Sequence, residues 1–169
     1  WGRLLAGVLP TLLLCAALAR RLAPSFGARA CWLGIGLYAL ATPANAYAHL
    51  LYGHQLAACL LTIGALWLVE GVREDRRGRA AWGGLLCSAA IGVEYSVAFA
   101  GLPIAVFVLA WARRGRVVSA IAACLGAAVP LALLAWYHAA IYGGVLRTGY
   151  HNVTNPEFAA KHGEGFLGL

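Results

Sequence analysis

The sequence predicts an all-α, polytopic integral membrane protein of about six membrane helices, two of them forming a short hairpin. Three observations carry this reading. The chain is 62% hydrophobic and only 11% charged, with a mean hydropathy of +0.76. A soluble domain keeps about a quarter of its residues charged to cover its surface. Its apolar runs approach the roughly 20 residues that carry a helix across about 30 Å of hydrocarbon. Between the runs, basic residues come in short bursts and not over a face, so the net charge of +7 reads as membrane orientation and not as a nucleic-acid surface.

The first span covers residues 4–19 and is closed by Arg20-Arg21 and a Pro24/Gly27 loop. Residues 30–47 and 51–72 make the second and third, followed by the most charged loop, 73–79 (REDRRGR). The run 81–112 has basic residues at both ends, so it must turn back on itself. Splitting it near Ala100-Gly101 gives two short arms, with Glu94-Tyr95-Ser96 through Pro103 at the tip. A basic turn at 113–116 leads to the last span, 117–142. Residues 1–142 are thus read as the transmembrane region and 143–169 as an extracytoplasmic loop. The chain opens on Trp1 within an apolar run, contains no Met, and stops at GEGFLGL, so it reads as an internal piece of a longer protein. No secretory signal is read at its start, because Arg20-Arg21 follow the apolar run and do not precede it.

If the spans alternate, the arginines at 20–29, 73–79 and 113–116 share one side, and Arg3, Arg147 and Lys161 lie on the other. The positive-inside rule makes the arginine-rich side cytoplasmic. Trp67, Trp82 and Trp111 then fall at the inner interface, and Trp136, Tyr137 and Tyr142 at the outer one. Gly83, Gly84, Ala89, Ala90 and Gly92 suit close helix packing. The five cysteines lie inside apolar runs without CxxC spacing and read as small core residues, with no disulfide.

The stretch 39–55, ALATPANAYAHLLYGHQ, concentrates Thr42, Asn45, Tyr47, His49, Tyr52, His54 and Gln55 at one corner of a greasy chain. Such a corner faces protein or water and not lipid. All five histidines fall on the same predicted outer side. His49 and His54 are five apart, roughly 140° around a helix, so they share no metal-binding face. His54 reads either as an ordinary interfacial histidine or as a polar group facing a substrate cavity. Glu94 is the acid within the apolar hairpin; either the tip reaches solvent, or Glu94 lines a cavity. The tail is either a generic loop or a lid that offers Arg147 or Lys161 to an anionic phosphate. Asn152-Val153-Thr154 fits the glycosylation sequon, a short match with meaning only in a host that glycosylates. No phosphate-binding Gly-rich loop, GxSxG, HExxH or paired catalytic carboxylates occur.

Four stretches together resemble the middle of the polytopic GT-C glycosyltransferases, the protein O-mannosyltransferase and aminoarabinose-transferase superfamily that uses polyprenyl-phosphate sugars. They are Thr42-Pro43 with Tyr47 leading to Tyr52-Gly53-His54; Glu94-Tyr95; Tyr142-Gly143 with Thr148-Gly149-Tyr150; and Gly165-Phe166-Leu167-Gly168. Bacterial relatives often have Pro where Ser96 stands and Asn where His138 stands. The resemblance implies an inverting transferase of a bacterial inner membrane, acting on the extracytoplasmic side. It would move a sugar from a polyprenyl-phosphate donor to an acceptor hydroxyl. The superfamily's catalytic acid lies in a loop upstream of this piece, so no catalytic residue is carried over. By the same resemblance Tyr52 and His54 line the cavity, Glu94 and Tyr95 sit at its edge, and Arg147 and Lys161 contact the donor phosphate. The expected partners are membrane lipid, the lipid-linked sugar and an acceptor of unstated kind, with no nucleic acid; participation of a divalent metal is left open. The alternative is a multi-pass transporter or flippase-like protein using Glu94 and the histidines, against which no inverted repeat shows.

Overall fold

The computed structural model describes residues 1–50 and 52–148, and every regular element among them is helical. The chain divides into two compact units, Trp1–Pro130 and Leu131–Leu169.

In the first unit a widely wound turn, Leu4–Val8, leads into α1, Leu9–Phe26. The helix does not stop at Arg20-Arg21 but runs on through Pro24 to Gly27. Proline that close to the end removes only one helical donor. Gly27 then ends the helix at φ 80°, a backbone conformation that favours glycine. Helix α2, Ala28–Ala41, is shorter than the expected span 30–47. Thr42, held extended by the proline that follows it, ends α2 and caps α3, Pro43–His49. Its Oγ1 donates to the Tyr38 carbonyl at 2.6 Å and accepts from the Ala44 N–H at 3.2 Å, serving both helix ends at once.

Helices α4, Gly53–Arg73, and α5, Arg77–Val93, form an antiparallel hairpin closed by Asp75 at φ 57°. Glycines let the two backbones meet: Gly71 faces the Ala80 backbone, Gly83 faces Leu68, and a Cβ on Gly64 would lie 2.8 Å from the Cys87 nitrogen. Beyond α5 the chain leaves helical geometry at Glu94 (φ −146°, ψ 110°), makes a tight turn over Tyr95–Val97 and enters α6, Ala98–Trp111. The break therefore falls at Glu94 and not near Ala100-Gly101. The Glu-Tyr-Ser stretch supplies substitute hydrogen bonds there, including Val97 N–H to the Glu94 carbonyl at 3.1 Å. Ala100 and Gly101 supply none and stay helical.

A second break at Arg114 (φ −91°, ψ 21°) and Gly115 (φ 87°, ψ 9°) separates α6 from α7, Val117–Tyr142. Among the described residues three helical stretches are long and apolar enough to cross a membrane: Leu4–Phe26, Gly53–Arg73 and Tyr95–Tyr142, the last broken at that turn. With 14, 17 and 14 residues, α2, α5 and α6 fall short of the roughly 20 of a full crossing. Among its described residues the chain is thus all-helical, and its long apolar helices make it membrane-associated.

Buried Leu68, Val72, Ala80 and Ala123 form the main core, with Phe107 and Trp111 packed against it; Cys15, Cys31 and Ile35 form a second between α1 and α2. All five cysteines are free, four of them buried and Cys124 exposed. At one end of the α4/α5 hairpin the charges converge. Glu70 pairs with both Arg21 and Arg79, Glu74 with Arg76 at 2.9 Å, and Asp75 accepts from Ser119 Oγ at 2.6 Å.

In the second unit the segment after α7 turns at Gly143 (φ 73°). Buried His138 donates through Nδ1 to the Val145 carbonyl at 3.1 Å, and its ring stands against Tyr137 and Tyr142. A carbonyl oxygen can only accept, so this contact sets the His138 tautomer.

Candidate functional site

The polar corner sits at the other end of the α4/α5 hairpin, about 24 Å along α4 from Glu70 at 1.5 Å per residue. Its geometry begins with a glycine. A Cβ on Gly53 would lie 3.0 Å from Val93 Cγ1 and 3.2 Å from the Val93 carbonyl oxygen, so the first turn of α4 abuts the last turn of α5. The residues that follow each of these, His54 and Glu94, are thereby brought within reach. His54 Nδ1 lies 2.9 Å from Glu94 Oε2. The other carboxylate oxygen, Oε1, accepts from Ser96 Oγ at 3.3 Å. Glu94 is the more enclosed partner, 23% exposed against 54% for the His54 side chain.

Two tyrosines flank the imidazole. Tyr47 meets it edge-on, with centroids 5.4 Å apart and planes at 85°. The Tyr52 ring lies nearly parallel to it, at 18° and 6.2 Å, and Tyr47 and Tyr52 meet edge to face at 6.2 Å. Tyr47 is delivered by α3. That helix packs against the start of the chain where Gly7 leaves no room for a side chain beside the Ala48 carbonyl.

Beside the pair, Gln55 is buried at 4% exposure in an otherwise apolar stretch. Its Nε2 faces Thr11 Oγ1 at 2.9 Å, the Tyr38 hydroxyl at 3.2 Å and Cys59 Sγ at 3.5 Å. Thr11 in turn donates to the Gly7 carbonyl at 2.8 Å. This network ties α4 to α1 and α2 and so holds the turn that carries His54.

The chemistry of the pair follows from the acceptor-only character of a carboxylate. A carboxylate can only accept, so the pair keeps the proton on His54 Nδ1, and Nε2 is an acceptor when the ring is neutral and a donor when it is cationic. The two tyrosines add apolar faces with polar rims.

No protein family, curated protein or solved structure matches this chain.

Of the residues singled out in the sequence, Tyr52, His54 and Glu94 come together, and Tyr95 follows Glu94 in the tight turn. Arg147 belongs to the second unit, where its N–H bonds the Gly144 carbonyl at 3.0 Å. Lys161, His151, His162 and the sequon lie outside the described residues. His49 is exposed in the last turn of α3 and takes no part in the His54 pair. Among the described residues no three His, Cys, Asp or Glu side chains gather as a metal site would require. Sequence reasoning placed Ser96 at the hairpin tip but missed its hydrogen bond to Glu94, and it missed the partners of Gln55. The available signal was Gln55 itself, an uncharged polar side chain immediately after His54 at the head of a long apolar helix.

Proposed function

We propose that this chain forms part of a polytopic membrane glycosyltransferase that moves a sugar from a polyprenyl-phosphate donor to an acceptor hydroxyl. The observation that carries the reading is the His54–Glu94 pair at 2.9 Å, walled by Tyr47 and Tyr52 at the hairpin end remote from the arginines. A carboxylate–imidazole pair beside aromatic faces suits a polyol: ring nitrogens exchange hydrogen bonds with hydroxyls, and aromatic faces take the C–H side of a sugar ring. In this reading Tyr52 and His54 line the cavity, Glu94 and Tyr95 form its edge, and the acid that deprotonates the acceptor comes from an upstream part of the protein.

The proposal includes six crossings, with the shorter α2, α5 and α6 completing the bundle and the arginine end cytoplasmic in a bacterial inner membrane. The pair then faces the extracytoplasmic side. Two measurements test these elements. Replacing His54 by Ala in the full protein, at unchanged expression, is expected to cut sugar transfer at least tenfold; wild-type transfer removes His54 from the site. A cysteine at position 54 is expected to react with an impermeant reagent from the extracytoplasmic face, and reaction only from the cytosolic face overturns the orientation.

A further inference from the structure

The α4/α5 hairpin carries paired charges at both ends, and the distance between the two layers is fixed. At one end Glu70 is held by Arg21 and Arg79; at the other Glu94 is held by His54 at 2.9 Å. Along α4, His54 and Glu70 are 16 positions apart, about 24 Å at 1.5 Å per residue. Along α5, Arg79 and Glu94 are 15 positions apart, about 22 Å. Close backbone approaches at Gly71 and Ala80, Gly64 and Cys87, and Gly53 and Val93 lock the two helices over their whole length. Neither can slide to lengthen the apolar layer, and α5 must cross wherever α4 crosses. The first helix repeats the distance. Its helical run from Arg3 to Arg20 covers 17 positions, about 25 Å, and Arg21 reaches Glu70 at 2.8 Å.

The hydrocarbon layer of an ordinary bilayer is about 30 Å thick. The hairpin falls short of it by roughly 6–8 Å, and helix tilt only widens the gap. Long cationic side chains commonly close such a gap by reaching outward to the headgroups. That route is closed here at both ends. Arg21 and Arg79 are committed to Glu70, while His54 and Glu94 are short side chains committed to each other. Leaving ionisable groups in hydrocarbon is costly, so the lipid has to come to the protein. Helix α7, with 26 residues and about 39 Å, is under no such limit, which confines the shortage to α1, α4 and α5.

We propose that α1 and the α4/α5 hairpin fit a lipid bilayer whose hydrocarbon layer is only about 22–25 Å thick, and that they thin an ordinary bilayer beside the His54 pair. Lipid headgroups and water then meet the pair at its own level. The inference rests on the crossing of α4 proposed above and not on sugar transfer.

The test reconstitutes the full protein in fluid phosphatidylcholine vesicles whose chains have 14, 18 or 22 carbons. Thermal unfolding at one fixed temperature is followed by helical circular dichroism. Unfolding is expected to be slowest in the 14-carbon vesicles and about tenfold faster in the 22-carbon ones, because the cost of mismatch accumulates with each Å. A minimum in 18-carbon lipid, or no dependence on chain length, overturns the thinning. The variant His54→Leu/Glu94→Leu removes the outer polar layer and is expected to move the minimum to 18-carbon lipid; an unmoved minimum overturns the role of the pair. Should that variant fail to fold, the wild-type series decides by itself. Tyr52→Cys and Arg76→Cys, made singly at the two ends of α4, test the crossing with an impermeant thiol reagent. Labelling from opposite faces together with an 18-carbon minimum overturns the thinning alone. Labelling of both from one face overturns the crossing, and the thinning with it.

Discussion

Helix α5 contains two glycines whose replacement by alanine is expected to move stability in opposite directions. Intrinsic propensity favours Ala over Gly in a helix by about 1 kcal/mol. At Gly92 an added Cβ meets nothing within 4 Å, so Gly92→Ala is expected to be neutral or to stabilise by up to about 1 kcal/mol. At Gly84 the same methyl would lie 2.9 Å from the Ala123 carbonyl carbon and closer still to its oxygen. The approach is reciprocal, since a Cβ on Gly126 would collide with the Ala81 carbonyl. Backbone cannot rotate away as a flexible side chain can, so α5 and the start of α7 must separate and lose packing around Ala123. Overpacking of this kind costs about 1–3 kcal/mol. An approach this close to rigid backbone puts the cost toward the upper end, about 2–3 kcal/mol, so against the propensity gain Gly84→Ala is expected to destabilise by roughly 1–2 kcal/mol. Unfolding titrations in mixed detergent micelles, comparing both variants with wild type, measure the two signs directly. A Gly84→Ala protein as stable as wild type would refute the close crossing of α5 and α7.

Three further outcomes are expected. Gln55→Leu removes the hydrogen bonds from Gln55 to Thr11 and Tyr38; at about 0.6 kcal/mol per bond in a membrane bundle, the loss is expected to be about 1 kcal/mol in the same titration. A variant with no measurable loss would mean that the network does not tie α4 to α1 and α2. Ser119→Ala takes the donor from Asp75, which is 41% exposed and still reached by Arg116 at 3.7 Å. Solvent screening keeps that loss to about 1 kcal/mol, and a cost several times larger would show that Asp75 relies on Ser119 alone. Glu94→Gln keeps the size of the side chain and removes its charge, so His54 loses a charge-assisted hydrogen bond worth roughly 1.5–3 kcal/mol. Sugar transfer by the full protein is expected to fall about tenfold or more, and an undiminished rate would separate Glu94 from the role of His54.

The corner around residues 39–55 was legible because a polar side chain in an apolar chain is costly and therefore informative. Thr42-Pro43 also marked a real boundary, although the chain restarts as α3 instead of simply ending the helix. The turn of the hairpin was misplaced because Gly101 and Pro103 are helix breakers in general. Here Pro103 is accommodated within α6, and the local hydrogen bonds of Glu94–Ser96 decide where the helix stops. Arg20-Arg21 likewise suggested a helix end, but arginine is a good helix former and its long side chain can reach out from within a helix. Arg21 does so toward Glu70.

By itself the sequence determined the helical class, the membrane association and the grouping of arginines away from the histidine-bearing corner. Those properties follow from composition and from the local cost of placing charge in hydrocarbon. Tertiary structure decided which residues became partners: His54 with Glu94, Gln55 with Thr11 and Tyr38, and Arg73 and Arg114 on one indole. Apart from the local contact of Arg114 with Trp111, these pairings join positions 17 or more residues apart. They depend on glycines at 7, 53, 84 and 126 whose missing side chains set how closely the backbones approach. That distance is a property of two surfaces meeting, and no single stretch of the chain encodes it.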